Sequence, residues 1–214
     1  MTTKAVIFDF DGVIGDTMQD NYKAWQIAFN AYQFNLDASE YFQLEGMGRF
    51  QIAQYFIEKY ALNPNIKNEV VEAKEEIYKK INDFKIYNYV DEIFELLTNQ
   101  HIKTAIVTGA SKDRIQKYLS PKIAEQLTAI VTADDVKNTK PHPEPYLKAI
   151  EKLGVSATNC IVIENAILGI QSAKQAGCTC FALETTLSKE HLNEADLVFN
   201  NHFELLNHLK EYEF

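Results

Sequence analysis

Val6-Ile7-Phe8-Asp9-Phe10-Asp11-Gly12 is the stretch on which the reading of the whole chain turns. Val6, Ile7 and Phe8 run apolar without polar alternation, as a strand covered on both faces does. Two aspartates one residue apart and a glycine follow. In an open parallel sheet, ligands bind beyond the carboxyl ends of the strands, and Asp9 and Asp11 arrive at such an end together. Carboxylates that close repel unless a cation lies between them or one keeps its proton. A plain turn would also use Asp and Gly, so the pair alone does not decide.

Short apolar runs recur along the chain at Ala5–Phe8, Ile102–Val107, Ala129–Thr132, Ile161–Ile163, Cys180–Leu183 and Leu197–Phe199. Helical patterns separate them: Val90, Ile93, Phe94 and Leu97; Tyr146, Leu147, Ile150 and Leu153, stopped by Gly154; Ile167, Ile170 and Ala173; and Phe203, Leu206 and Leu209. Strands alternating with helices predict an α/β fold with a Rossmann-like parallel sheet. Residues 16–84 break the alternation and read as helices only, with stripes Tyr22, Trp25, Phe29, Tyr32; Ile52, Phe56, Tyr60; and Val70, Lys74, Ile77, Ile81. The chain therefore divides into a core of 1–15 and 85–214 and an inserted helical cap of 16–84, with hinges expected at Gly12–Gly15 and Asn82–Asn88.

Three further strand ends carry chemistry. The second run ends Ile106-Val107-Thr108-Gly109, a hydroxyl and a flexible backbone ahead of a helix containing Arg114. Hydroxyls and free N–H groups there suit phosphate oxygens, although a threonine also serves as a cap. Lys140-Pro141-His142-Pro143-Glu144-Pro145 stiffens a loop and fixes where Lys140 points; His142 reads as a loop contact. Ile161-Val162-Ile163 ends in Glu164-Asn165, and a carboxylate after three apolar β-branched residues is costly to bury unless paired or metal-bound.

The 214 residues carry a formal charge of -9, which disfavours nucleic acid and anionic membrane surfaces as partners. Hydrophobic residues at 46% and charged residues at 24% are ordinary for a folded protein. Cys160, Cys178 and Cys180 are odd in number and irregular in spacing, so they predict reduced, buried thiols rather than a disulfide framework. The start, MTTKAVIFDFDG, does not read as a signal peptide. The expected location is the cytoplasm, and nothing in the pattern argues for assembly beyond a monomer.

Taken together, Asp9-x-Asp11-Gly12, Thr108-Gly109, Lys140-Pro141 and Glu164-Asn165, in that order and at strand ends, resemble the haloacid dehalogenase superfamily of phosphatases and phosphomutases. The helical insertion after the first motif resembles the branch that includes β-phosphoglucomutase and phosphoglycolate phosphatase-like enzymes. The resemblance covers essentially the whole chain. It implies a Mg2+-dependent phosphatase acting on a small phosphorylated metabolite through an aspartyl-phosphate. It implies Asp9 as nucleophile and Asp11 as general acid/base, with Thr108 and Lys140 completing the catalytic set. Asp9, Asp11 (through its main-chain carbonyl), Glu164 and Asn165 are the implied metal ligands. Gly109, Arg49 in the loop Gly46-Met47-Gly48-Arg49, and Lys74 are implied substrate contacts, while Trp25 reads as core. Where the branch has Glu-Asp, this chain has Glu164-Asn165, which removes one negative charge from the site. Two alternatives stay open: a phosphomutase, against which stands Asn21 where that branch has a histidine gating Asp11, and a non-catalytic binding protein with a weakened metal site.

Overall fold

In the computed structural model, which describes residues 2–214, six parallel strands form one sheet. They are β1 (Ala5–Phe8), β2 (Lys103–Val107), β3 (Ala129–Val131), β4 (Cys160–Glu164), β5 (Thr179–Leu183) and β6 (Leu197–Phe199), in the spatial order β3-β2-β1-β4-β5-β6. The expected strands thus stand, with ends moved by one residue or left unchanged. The chain adds β2 and β3 on one side of β1, then crosses back to lay β4, β5 and β6 on the other. The crevice between β1 and β4 is the switch point where such sheets bind ligands.

Strand alternation splits the core in two. Val6, Phe8, Ile106, Ile161, Ile163 and Leu183 pack against α5 (Val90–Asn99), α6 (Lys112–Tyr118) and α10 (His202–Glu211). Ala5, Ile7, Ala105, Val107, Val162, Cys180 and Ala182 face α8 (Glu144–Leu153) and α9 (Ile167–Gln175). The short α7 (Pro121–Ala124) lies between α6 and β3 in the chain. All three cysteines are buried free thiols, and Cys178 and Cys180 both lie on the α8/α9 side.

Between β1 and α5 the chain makes α1 (Met18–Asn30), α2 (Ala38–Phe42), α3 (Arg49–Lys59) and α4 (Lys67–Ile81). These enclose an apolar cluster of their own, with Trp25, Phe29, Phe56 and Val70 inside. The segments leading into and out of this layer are joined to each other. Asp16 N–H donates to Lys85 C=O at 2.8 Å, and Tyr87 N–H to Ile14 C=O at 3.0 Å.

Several faces are turned relative to the predicted stripes. In α1 the buried positions include Asn21 beside Ala24, Trp25 and Ala28, and in α4 they are Val70, Val71, Lys74 and Tyr78. Tyr60, Leu147 and Phe203 are exposed, and Tyr146 with Ala149, and His202 with Leu205, take the inward places. In α1 and α4 the reason is that one side of each helix looks toward the sheet's ligand end rather than into apolar packing, so polar residues are enclosed there.

Phe56 is wholly buried and packs edge-on to Phe29 at a 5.8 Å centroid distance. Phe56→Ala should cost about 3–5 kcal/mol through lost transfer energy and the cavity left behind. Urea unfolding followed by tryptophan fluorescence, which reports Trp25 in the same cluster, would measure it; a midpoint unchanged from wild type would contradict this packing.

Candidate active site

Adjacent strands set the site. Phe8 pairs with Ile163 across β1 and β4, and Asp9 N–H donates to Ile163 C=O at 3.0 Å. Asp9 and Glu164 therefore leave their strands side by side. Lys140 Nζ lies between them, 2.6 Å from Asp9 Oδ1 and 2.6 Å from Glu164 Oε1, with the Val107 carbonyl at 3.2 Å. All three ammonium protons are thus used, and the lysine is 2% exposed.

Glu164 is more enclosed than its neighbours. Its Oε1 also accepts from Tyr146 OH at 2.7 Å, and its Oε2 from the backbone N–H groups of Asn165 at 2.9 Å and Ala166 at 3.2 Å. Its carboxylate lies over Gly169, where an added Cβ would fall 1.8 Å from Oε1. Four donors take up the acceptor capacity of this group. The resemblance implies Glu164 as a metal ligand; in the fold its carboxylate bonds Lys140 and the start of α9, beside Asp9.

Two carboxylates and one ammonium leave a buried excess of negative charge. Burial pushes Asp9 up to about 7, against the pull of Lys140, with Glu164 and Asp11 adding to the rise. Burial also works against the charge on Lys140, but Asp9 and Glu164 outweigh it and hold the lysine above its ordinary range.

A further acid joins from the inserted layer. Glu45, between α2 and α3, is 3% exposed and is pushed well above the usual carboxylate range by burial and then by Asp9, Asp11 and Glu164. Its Oε2 accepts from Asn165 Nδ2 at 3.2 Å; that amide also donates to Thr186 Oγ1 at 3.2 Å. Glu45 Oε1 and Asn165 Oδ1 are buried without any hydrogen-bond partner. Asn165 comes so near the first turn that a Cβ on Gly12, at φ +84, would sit 2.1 Å from its Nδ2. Glycine alone satisfies both conditions there.

Asp11 is held differently from Asp9. Its Oδ1 accepts from Thr17 Oγ1 at 2.5 Å and forms an ion pair with Arg114 Nη2. Arg114 also donates to Tyr78 OH at 3.1 Å and to Asn21 Oδ1 at 3.3 Å. Lys74, buried, donates to Asn21 Oδ1 and Glu75 Oε1, each at 2.9 Å. Thr108 is buried, and its Oγ1 accepts from Ala110 N–H at 3.0 Å. Gly109 faces the backbone of Gly46 and Met47. Arg49 Nη2 is 3.5 Å from Asp134 Oδ1.

Asp9, Asp11, Glu45, Arg49, Lys74 and Arg114 line one cleft of about 590 Å³ including its open mouth. Thr108 and Lys140 lie beneath it with Gly109. Among the described residues no three His, Cys, Asp or Glu side chains are grouped to hold a metal, and Lys140 lies between Asp9 and Glu164. The oxygens left for a cation are of mixed kind: Asp9, the Asp11 carbonyl, Asn165 Oδ1 and Glu45. The two orphaned buried oxygens fit a hard cation such as Mg2+, which takes oxygen donors. Glu45, Arg114 and Tyr146 went unassigned in the sequence. The one available signal was for Glu45, an acid beside the Gly46–Arg49 loop in a chain that has lost an acid at 165.

The family model for haloacid dehalogenase-like hydrolases matches residues 6–183. A validoxylamine A 7'-phosphate phosphatase of Streptomyces hygroscopicus subsp. limoneus is 30% identical over 204 residues, covering 92% of this chain and 93% of that protein. A fructose-1-phosphate phosphatase of Escherichia coli is 31% identical over 178 residues, covering 80% and 92%. Among solved structures, a β-phosphoglucomutase of Clostridium difficile superposes with a TM-score of 0.81 at 27% identity, covering 98% of each chain.

Because Asp9 is raised above its ordinary value of 3.8 to about 7, the folded chain keeps a proton that the unfolded chain releases. The stability this gives is complete below the unfolded value and is lost as pH rises through the folded one. Without metal, the lead of Asp9→Asn over wild type in melting temperature should therefore widen by a few degrees from pH 5 to pH 8, both of which lie above the unfolded value of 3.8. Thermal melts in EDTA across that range test it; a variant that is less stable by the same margin at both pH values would show that Asp9 carries no such strain.

Proposed function

The chain belongs to the haloacid dehalogenase-like hydrolases, and from that premise we propose that it releases phosphate from a small phosphorylated metabolite with Asp9 as nucleophile. The observation that carries this reading is Lys140 held between Asp9 and Glu164 beneath a cleft into which Asp11 also projects. Curated relatives of nearly the same length are phosphatases of small phosphorylated compounds.

Asp9, freed of competing protons, attacks phosphorus and forms an aspartyl-phosphate, which splits one hard displacement into two easier ones. Lys140 offsets the repulsion between this carboxylate and an anionic ester. Thr108 Oγ1 already accepts from Ala110 N–H, so its own hydrogen is available to a phosphoryl oxygen, alongside the Gly109 backbone. Asp11 gives a proton to the leaving oxygen and afterwards takes one from the attacking water. Asp9, the Asp11 carbonyl, Asn165 Oδ1 and Glu45 would hold Mg2+, whose charge polarises the phosphoryl group and balances the buried acids. In this arrangement Glu45 brings from the inserted layer the negative charge that Asn165 lacks. The helices of residues 16–84 act as the cap that excludes bulk water.

Arg49 is the residue best placed to meet a distal anionic group of the substrate, since it lines the cleft and its ion pair with Asp134 is partly exposed. Lys74 is occupied by Asn21 and Glu75, which makes it a support of the cleft wall more than a free contact. Asn21 is bonded to Arg114 and Lys74 and brings no titratable proton toward Asp11; this favours hydrolysis over transfer back to a sugar. We place the enzyme in the cytoplasm as a monomer, in keeping with its charge of -9 and its free thiols.

With Mg2+, purified protein should release phosphate from at least one member of a panel of sugar phosphates, nucleotides and phosphoglycolate, and Asp9→Asn should lower that rate by at least roughly 1,000-fold. Silence across the panel, or an Asp9→Asn variant of comparable rate, ends this reading. Asn165→Asp sets a second carboxylate against Glu45, 3.2 Å from the present amide. It should melt below wild type in EDTA and show a larger Mg2+-dependent rise in melting temperature. An unchanged Mg2+ response would remove residue 165 from the metal site.

A further inference from the structure

The proposed reaction depends on where the Asp11 carboxyl points, and the cleft contains one group that fixes it. Thr17, just before α1, and Arg114 on α6 both bond Oδ1 of Asp11; among the described residues no hydrogen bond engages Oδ2. Arg114 sits on α6 of the sheet layer with its side chain 9% exposed, yet its other partners ride on the inserted helices. Nη1 donates to Asn21 of α1, and Nη2 to Tyr78 of α4. The guanidinium carbon also stands 4.3 Å from the centroid of the Tyr78 ring. A guanidinium is planar with its donors in a rigid fork. An ion pair, two further hydrogen bonds and a ring contact leave it one orientation. Its Nε finds no partner, so the side chain is placed by these contacts alone.

We propose that Arg114 is a positioning residue for Asp11, resting on the reading of Asp11 as general acid. By holding Oδ1 it presents Oδ2 as the atom that exchanges protons, and it does so only while α1 and α4 are seated over the sheet. When Oδ2–H passes its proton to the leaving oxygen, the bond from that oxygen to phosphorus breaks as the bond from Asp9 forms. Oδ2 then accepts a proton from the water whose oxygen bonds to phosphorus as the bond between phosphorus and Asp9 breaks, which frees phosphate and restores the Asp9 carboxylate. Closure of the cap and readiness of the acid thus become one event, with Arg114 as the link between them.

The test uses leaving groups that differ in their need for a proton. Single-turnover release from 4-nitrophenyl phosphate, whose phenolate leaves unprotonated, is compared with that from glycerol phosphate, whose alkoxide needs the acid, in Mg2+ with wild type, Arg114→Gln and Arg114→Lys. Arg114→Gln should slow glycerol phosphate by roughly 100-fold, within the usual worth of a general acid. It should change the 4-nitrophenolate burst by less than about threefold, and Arg114→Lys should recover part of the loss. In an Asp11→Asn background, Arg114→Gln should add nothing further, since both act through one carboxyl. Equal losses on the two probes, a loss confined to KM, or an added loss in the Asp11→Asn background would each overturn the proposal in favour of a structural or substrate-binding arginine. Arg114→Lys keeps the comparison available if Arg114→Gln does not fold. Wild type that releases neither phenolate nor phosphate would instead defeat the phosphatase reading beneath it.

Discussion

The ammonium of Lys140, enclosed between Asp9 and Glu164, is the contact on which the site depends. Bringing β1 beside β4 forces two carboxylates together at their ends, and the buried ammonium between them makes that tolerable. Much nearby structure follows from the need to hold that cation. The proline-bound segment after Lys140 aims it. Tyr146 and two backbone N–H groups fix Glu164, and Gly169 leaves room for its carboxylate. Even so the charges do not balance, and the addition of Glu45 makes the imbalance larger. A protein optimised only for stability would not enclose these acids with one lysine. The surplus is a strain stored where chemistry needs it, and a divalent cation would discharge it.

The inserted helices contribute in the same currency of enclosed polarity. Their apolar cluster around Phe29 and Phe56 keeps them folded as a layer, while the sides facing the sheet carry Asn21, Lys74, Tyr78 and Arg49. Lys74 is paired with Glu75 and Arg114 with Asp11, so the cleft is lined by matched charges on that side and by unmatched acids on the other.

How much of this could be read in the chain differs from element to element. The strands were legible because a strand buried on both faces writes itself as an uninterrupted apolar run, and Ala5–Phe8 and Leu197–Phe199 end where expected. Asp9, Asp11 and Glu164 were legible as candidates because they stand at or just beyond strand ends, and Lys140 because the prolines that follow it fix where it points. The rotation of α1 and α4 was not, since periodicity marks an apolar stripe and is silent about a polar face enclosed by another layer. Nor were the partners of Glu164: a carboxylate at the end of a strand does not name the lysine, tyrosine and backbone donors that surround it. Glu45 and Arg114 depend on contacts over 120 and 103 residues of separation, and no local pattern encodes those.

The two crossings between the layers lie against each other, tied by the bonds from Asp16 to Lys85 and from Tyr87 to Ile14. A lid fastened at two distant corners can only flex, whereas one hung on a single pin can swing through a wide arc at little cost. Here the pin stands a few residues from Asp11 and Gly12. On the proposed reading of residues 16–84 as a cap, its far edge would move most and the ground near the pivot least. Such a build lets one scaffold be retuned for new cargo by changes at the rim, without disturbing the machinery at the axle.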